Sequence, residues 1–279
     1  MRRYSIAYLC MIALPLAASD TVQPVHDNIT IQQIGPLFCF GQNILPRNTV
    51  TVRAIPFYYK QTHHSFSYMS AQLLYGVTDQ LVLLFDTPII FNNHGYGNTH
   101  RLGDVRIQAE YAYYKKRDAS KSIEATVLGN CIIPRTFSTD RNPLTAGETS
   151  FFFGTTASYL TDWYAYASLG GRIVNPFKST HFGNQVLYEW IIGHRLPDIP
   201  HVNTYLLIES NGIYTQKDTI HGSSDPNTGS NLIYCGPVLV VTSINWALLA
   251  GVQGVATQHR NGNQEPFNLR ASLMLVYKF

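Results

Sequence analysis

From residue 49 onward the chain divides into about twelve runs of alternating apolar and polar residues, joined by connections that are long and short by turns. The runs lie near 49–60, 68–77, 81–91, 103–116, 122–133, 149–160, 163–175, 183–195, 201–214, 232–242, 246–257 and 267–279. After odd-numbered runs come QTHHSFS, residues 92–102, residues 134–148, PFKSTHF, residues 215–231 and residues 258–266; after even-numbered runs come TDQ, RDASK, TD, PDIPH and SIN. An antiparallel barrel crossing an outer membrane sorts its connections this way, with short periplasmic turns and longer extracellular loops. A soluble sandwich has no reason to sort loops by parity. The runs are also longer than the roughly five or six residues usual for soluble strands. They suit a tilted crossing of the bilayer. The expected fold is therefore all-β: a transmembrane antiparallel up-and-down barrel of about twelve strands. Pro56, Pro88 and Pro237 fall inside runs and each remove a ladder donor, so ten or fourteen strands stay open.

The last run is the most regular. Phe267, Leu269, Ala271, Leu273, Leu275, Tyr277 and Phe279 share one face, and Asn268, Arg270, Ser272, Met274, Val276 and Lys278 share the other. Lipid on one side and a lumen on the other require such a strand. Between residues 103 and 116, Val105, Ile107, Ala109, Tyr111 and Tyr113 alternate with Asp104, Arg106, Gln108, Glu110 and Ala112. A period of two with charges on one face excludes a helix.

The amino terminus points to export. Arg2 and Arg3 precede an apolar run from Tyr4 to Leu16, and Ala17 and Ser19 stand three and one residues before Asp20, as at a signal-peptidase site. The expected division is a signal peptide at 1–19, a periplasmic extension or lumen plug at 20–48, and an outer-membrane barrel at 49–279. Charged residues make up only 13% of the chain and aromatics another 13%. That balance fits a barrel with aromatic girdles, and a net charge of +3 without a basic run argues against nucleic acid as a partner. Tyr58, Tyr59, Tyr75, Tyr113, Tyr114, Trp163, Trp190, Trp246 and Tyr277 lie near run ends and read as an interfacial belt. Cys39, Cys131 and Cys235, the three cysteines beyond the expected signal peptide, stand at no metal-ligand spacing and allow at most one disulfide; Cys131 and Cys235 fall within apolar runs and read as buried free thiols.

The faces assigned to the lumen carry Arg53, Asp104, Arg106, Gln108, Glu110, Glu124, Arg172, Gln185, Glu189, Glu209 and Arg270. Either they line a channel that selects solutes by charge, or they pair and fill the interior as in narrow barrels. Arg53 and Arg270 lie on the first and last strands, and one of them is expected to face an acid such as Glu110 or Glu209. Catalysis has little support. His63 with Ser65 and His221 with Ser223 are the available His-x-Ser pairs, both in expected outside loops with no acid at a diagnostic spacing. No catalytic residue, cofactor site or metal site is expected.

The stretch LLYGVTDQLVLLFDTPIIF at 73–91, LGDVRIQAEYAYYKK at 102–116 and the terminal LMLVYKF resemble the outer-membrane family known as MetA-pathway of phenol degradation. The resemblance covers most of the chain after the signal peptide. It implies a barrel of about twelve strands and passage of small apolar or aromatic molecules across the outer membrane, with no family site residues to transfer. It also implies that Gly103 and Asp104 shape a rim, Gly76 and Asp79 the first periplasmic turn, and Phe279 the signal read by the barrel-assembly machinery. The reading is a non-enzymatic passive channel for small hydrophobic solutes, in contact with outer-membrane lipid. A structural or surface-adhesion barrel working through its loops is the rival, and an outer-membrane lipid hydrolase is third.

Overall fold

A computed structural model of the chain describes residues 35–94, 102–118, 121–135, 147–197, 199 and 201–279. The expected signal peptide and residues 20–34 of the following stretch lie outside the described residues. In chain order the strands are β1 (Val50–Gln61), β2 (Ser65–Gly76), β3 (Leu81–His94), β4 (Val105–Asp118), β5 (Lys121–Ile133), β6 (Ser150–Leu160), β7 (Trp163–Val174), β8 (Thr180–His181), β9 (Gln185–Arg195), β10 (Asn203–Thr215), β11 (Thr219–Ile220), β12 (Ser223–Ser224), β13 (Ser230–Thr242), β14 (Trp246–Arg260) and β15 (Phe267–Lys278). Twelve of them close into one antiparallel barrel in the order β1-β2-β3-β4-β5-β6-β7-β9-β10-β13-β14-β15, and β15 pairs back onto β1. At the seam Thr51 lies opposite Lys278 and Arg53 opposite Val276. Closure removes the free edges that unpaired backbone would expose to lipid.

The twelve long strands coincide with the twelve sequence runs to within a few residues. Short turns follow β2, β4, β6 and β13 as expected. The expected long loop after β1 is only residues 62–64, because β2 begins at Ser65 inside the stretch expected as loop, and it is shorter than the connection at 196–202 after β9. The connections at 176–182 and 215–231 are more than loops: β12, β11 and β8 form a small three-stranded sheet that joins them. Gly183 donates its N–H to Asp218 at 2.8 Å in the same junction.

Each proline stands where the ladder to one neighbour is interrupted. Matched pairs between β1 and β15 stop at Ala54 and resume at Phe57, around Pro56. Pairs between β13 and β14 stop at Cys235 and resume at Val238, around Pro237. Pairing of β3 with β4 ends at Asp86, before Pro88. The missing donors thus cost no additional bond, and the count stays at twelve.

Outside, the barrel is apolar and uncovered. Leu73, Leu83, Ile107, Phe153, Leu169, Ile192, Leu206 and Leu275 are all exposed, and they come from strands around the whole circumference. Exposed apolar surface that encircles a barrel marks a lipid-facing band. Inside, the half nearest the short turns holds a packed core that includes Leu37, Ile55, Tyr164, Tyr205, Leu207, Val240, Leu249 and Met274. A second cluster joins Ile44 and Leu45 to Leu74, Val82, Leu84 and Ala112.

Bulges and register change several expectations about faces. Lys60 pairs with Leu269 but Gln61 with Phe267, so Asn268 is an extra residue at a bulge. The bulge shifts the alternation, and Phe267, expected on the lipid face, lines the interior beside Tyr234. Tyr113 is likewise the extra residue between Ala112 and Tyr114, which puts both Tyr113 and Tyr114 outside. Cys131 and Cys235 are free but only half-buried, because each alternates with inward neighbours and so falls on the outer face. Tyr59, expected in the interfacial belt, also faces inward, whereas the other eight belt residues are exposed.

Candidate lumen site

Residues 35–45 lie inside the barrel and reach β1 through an exposed turn at Pro46–Asn48. Three wall carboxylates hold this inner segment by its backbone. Glu209 on β10 accepts the N–H of Leu37 at 2.9 Å and that of Phe38 at 3.0 Å. Glu189 on β9 accepts the N–H of Phe40 at 3.1 Å. Glu110 on β4 accepts the N–H of Gln42 at 2.7 Å and the Asn43 side-chain amide at 2.8 Å. Carboxylate acceptors give strong bonds where water is scarce, and they satisfy donors that a strandless segment leaves open.

Side chains complete the docking. The Gln42 amide donates to Thr156 at 2.6 Å and accepts from Ser158 at 2.7 Å. Asn211 donates to Cys39 Sγ at 2.9 Å, and the Tyr166 hydroxyl donates to the Phe40 carbonyl. Gly41 has φ +81, and a Cβ there would stand 2.5 Å from Thr156 Cγ2. Only glycine combines that backbone with so close an approach.

The arginines hydrogen-bond to side-chain amides and pair with acids. Arg53 donates to Asn43 Oδ1 at 2.6 Å and so reaches Glu110 through an amide. Arg270 donates to Gln253 at 2.7 Å and to Asn211 at 2.5 Å. Its guanidinium stacks between Tyr234 at 4.2 Å and Phe38 at 4.8 Å. Glu209 is taken up by the N–H groups of the inner segment; Arg53 faces Glu110 and Arg270 faces Glu209 within electrostatic reach, with no direct hydrogen bond between them among the described residues. Arg106 pairs with Asp86 at 2.5 Å, and Arg117, which sequence reading passed over, reaches Glu124 at 3.3 Å.

Above the inner segment, in the half nearest the long loops, lies a cavity of about 840 Å³. Of the eleven expected lumen residues, Arg53, Asp104, Arg106, Gln108, Arg172, Gln185, Glu189 and Arg270 line it. Glu110, Glu124 and Glu209 also face inward but are fully covered. Sequence reading missed the wall opposite Arg172. There Phe57, Tyr59, Phe66 and Tyr68 from β1 and β2 stack, with ring centroids 4.7 Å apart for Tyr59–Phe66 and 5.0 Å for Phe57–Tyr68. The signal was present in TVRAIPFYYKQ and SFSYMSAQ, where these rings share a face with Arg53 and Gln72.

The family-implied turn residues sit at contacts that suit them. A Cβ on Gly76 would stand 2.1 Å from the Pro46 carbonyl oxygen, and Asp79 accepts the Arg47 N–H at 2.9 Å. Gly103 donates to the Pro88 carbonyl at 2.8 Å, and Asp104 accepts the Arg135 N–H at 3.1 Å. The His-x-Ser pairs stand apart from the lumen: His221 and Ser223 are exposed on the loop sheet, and the His63 N–H is donated to Glu265. Among the described residues no group of three His, Cys, Asp or Glu side chains is placed to hold a metal ion.

A closed barrel with an apolar exterior, a charged interior and a chain segment across its lumen belongs to the membrane-spanning class of β-barrels. No protein-family model and no curated protein matches the sequence. Among solved structures, the chain is similar to an outer membrane channel from Pseudomonas putida F1, at 15% identity and a TM-score of 0.66 over 86% of this chain and all of that one. It is also similar to the NanC porin, at 10% identity and a TM-score of 0.50 over 81% of this chain and 98% of that one. At these identities the likeness is one of fold.

Proposed function

We propose that the protein is an outer-membrane channel for small hydrophobic or aromatic molecules, exported through a signal peptide cleaved after residue 19, with residues 20–48 acting as its plug. The observation that carries the reading is the cavity walled by Phe57, Tyr59, Phe66 and Tyr68, floored by a segment held through hydrogen bonds rather than woven into the sheet. A segment fixed by three carboxylates is removable without breaking a strand. The apolar exterior and the fold likeness to an outer membrane channel and a porin support the location. The family resemblance supports the aromatic cargo.

Planar-bilayer conductance of the purified barrel tests it. The full chain is expected to conduct weakly, and a variant lacking residues 20–43 to conduct steadily. A variant that folds and stays sealed overturns the channel. The rival reading, a barrel that acts through its loops, draws on the sheet of β8, β11 and β12, which ties two long loops into a fixed exposed platform. Loop deletions that abolish partner contact and leave permeability unchanged favour it.

A further inference from the structure

The geometry points to a binding site for small aromatic carboxylates in the long-loop half of the lumen, with Arg172 gripping the carboxylate and the rings of Phe57, Tyr59, Phe66 and Tyr68 receiving the aromatic group. The inference rests on the channel reading for its physiological sense and on separate observations for its chemistry.

The cavity has two unlike walls. One is the stacked ring face of β1 and β2, which offers offset and edge contacts to a further ring. The other carries guanidinium groups. Arg106 is already paired with Asp86; Arg53, which stands on β1 beside the ring wall, is engaged by Asn43, and Arg260 lies over the Phe267 ring. Arg172 differs. Its side chain makes no hydrogen bond among the described residues, and its Nε, like those of Arg53 and Arg106, is buried without a partner. It lies within electrostatic reach of Arg106 and Asp104. A guanidinium with no carboxylate hydrogen-bonded to it is costly to enclose, and its planar fork matches an incoming carboxylate with two parallel bonds.

The acids around the cavity are committed elsewhere. Glu189 accepts from Ser168 at 2.5 Å and from Phe40 at 3.1 Å, Asp86 binds Arg106 and Ser70, Asp104 accepts the Arg135 N–H at 3.1 Å, and Glu265 binds the His63 and His64 segment. The unspent binding capacity of the site is therefore cationic and aromatic together. A cavity of about 840 Å³ falls within the range of about 300–1,000 Å³ typical of small-molecule sites. A neutral phenol would use only the ring wall, and acetate only the arginine.

Calorimetric titration of the full chain in lipid nanodiscs tests the site, with benzoate, phenol, cyclohexanecarboxylate and acetate as probes at neutral pH. Benzoate is expected to bind saturably and about tenfold or more tighter than each of the other three. Arg172→Gln is expected to weaken benzoate about tenfold and leave phenol unchanged, and Tyr68→Leu to weaken both. Equal affinity for benzoate and phenol, or no benzoate binding, overturns the site; so does an unchanged affinity in a folded Arg172→Gln barrel. The wild-type comparison decides the matter alone if that variant fails to fold. Conductance in the same preparation separates the two readings. Benzoate binding to a barrel that never conducts removes the channel and keeps the site, and a conducting barrel indifferent to benzoate does the reverse.

Discussion

Glu209 accepts the backbone N–H of Leu37 at 2.9 Å across 172 residues of sequence, and this bond, with its neighbour to Phe38, fixes one end of the inner segment to β10. Replacing Glu209 with Ala leaves two enclosed N–H groups without an acceptor, at a cost of about 1–3 kcal/mol. Glu209→Gln keeps one acceptor and is expected to lose less. Urea midpoints measure the cost, and faster proteolysis at residues 35–43 reports the loosened segment.

Arg270 binds two amides while stacked between Tyr234 and Phe38. Arg270→Lys keeps the charge but offers neither a planar face nor a fork. It is expected to destabilise the barrel by about 1–3 kcal/mol, read from the denaturant midpoint, and to raise single-channel opening frequency.

Gly41→Ala introduces a Cβ 2.5 Å from Thr156 Cγ2 at φ +81. Overpacking of this kind costs about 1–3 kcal/mol, and here the backbone strain adds to it. The variant is expected to keep the heat-modifiable gel shift of a folded barrel and to show greater leak conductance, because the wall stays intact while the segment is pushed away.

Glu265, in the loop before β15, joins that loop to the one between β1 and β2 through the His63 and His64 segment. Burial pushes its carboxyl up, but the His63 N–H and the His64 side chain outweigh that and hold it below the ordinary glutamate value. A depressed carboxyl favours the folded contact above its ordinary value and loses that contribution as pH falls through the lowered one. Amide protection factors at His63 and His64 are expected to be steady near neutrality and to drop in acid; Glu265→Gln is expected to remove the pH dependence.

Cys131 and Cys235 lie on the outer face and Cys39 inside. In bilayers, a lipid-soluble maleimide is expected to label the first two, and a bulky charged maleimide to label none of the three. Mass spectrometry of the digest reads the pattern.

The strands were legible because a sheet with different solvents on its faces imposes a period of two along each of them. The runs at 149–160 and 163–175, for instance, match β6 and β7 to within one residue at each end. The small loop sheet was not legible, since two-residue strands carry no period. The inward turn of Phe267 was hidden as well, because the bulge at Asn268 depends on the register of β1 against β15 rather than on anything local.

By itself the sequence determined an antiparallel barrel of about twelve strands and most of the charged residues that turn inward, because alternation and connection length are properties of neighbouring residues. The tertiary structure alone decided what those inward residues do. Glu110, Glu189 and Glu209 accept hydrogen bonds from the N–H groups of residues 37–42 rather than from arginines, and four rings from β1 and β2 stack into one wall. Those partnerships join residues far apart in the chain across a closed lumen, and closure, not local pattern, sets which of them come within bonding distance.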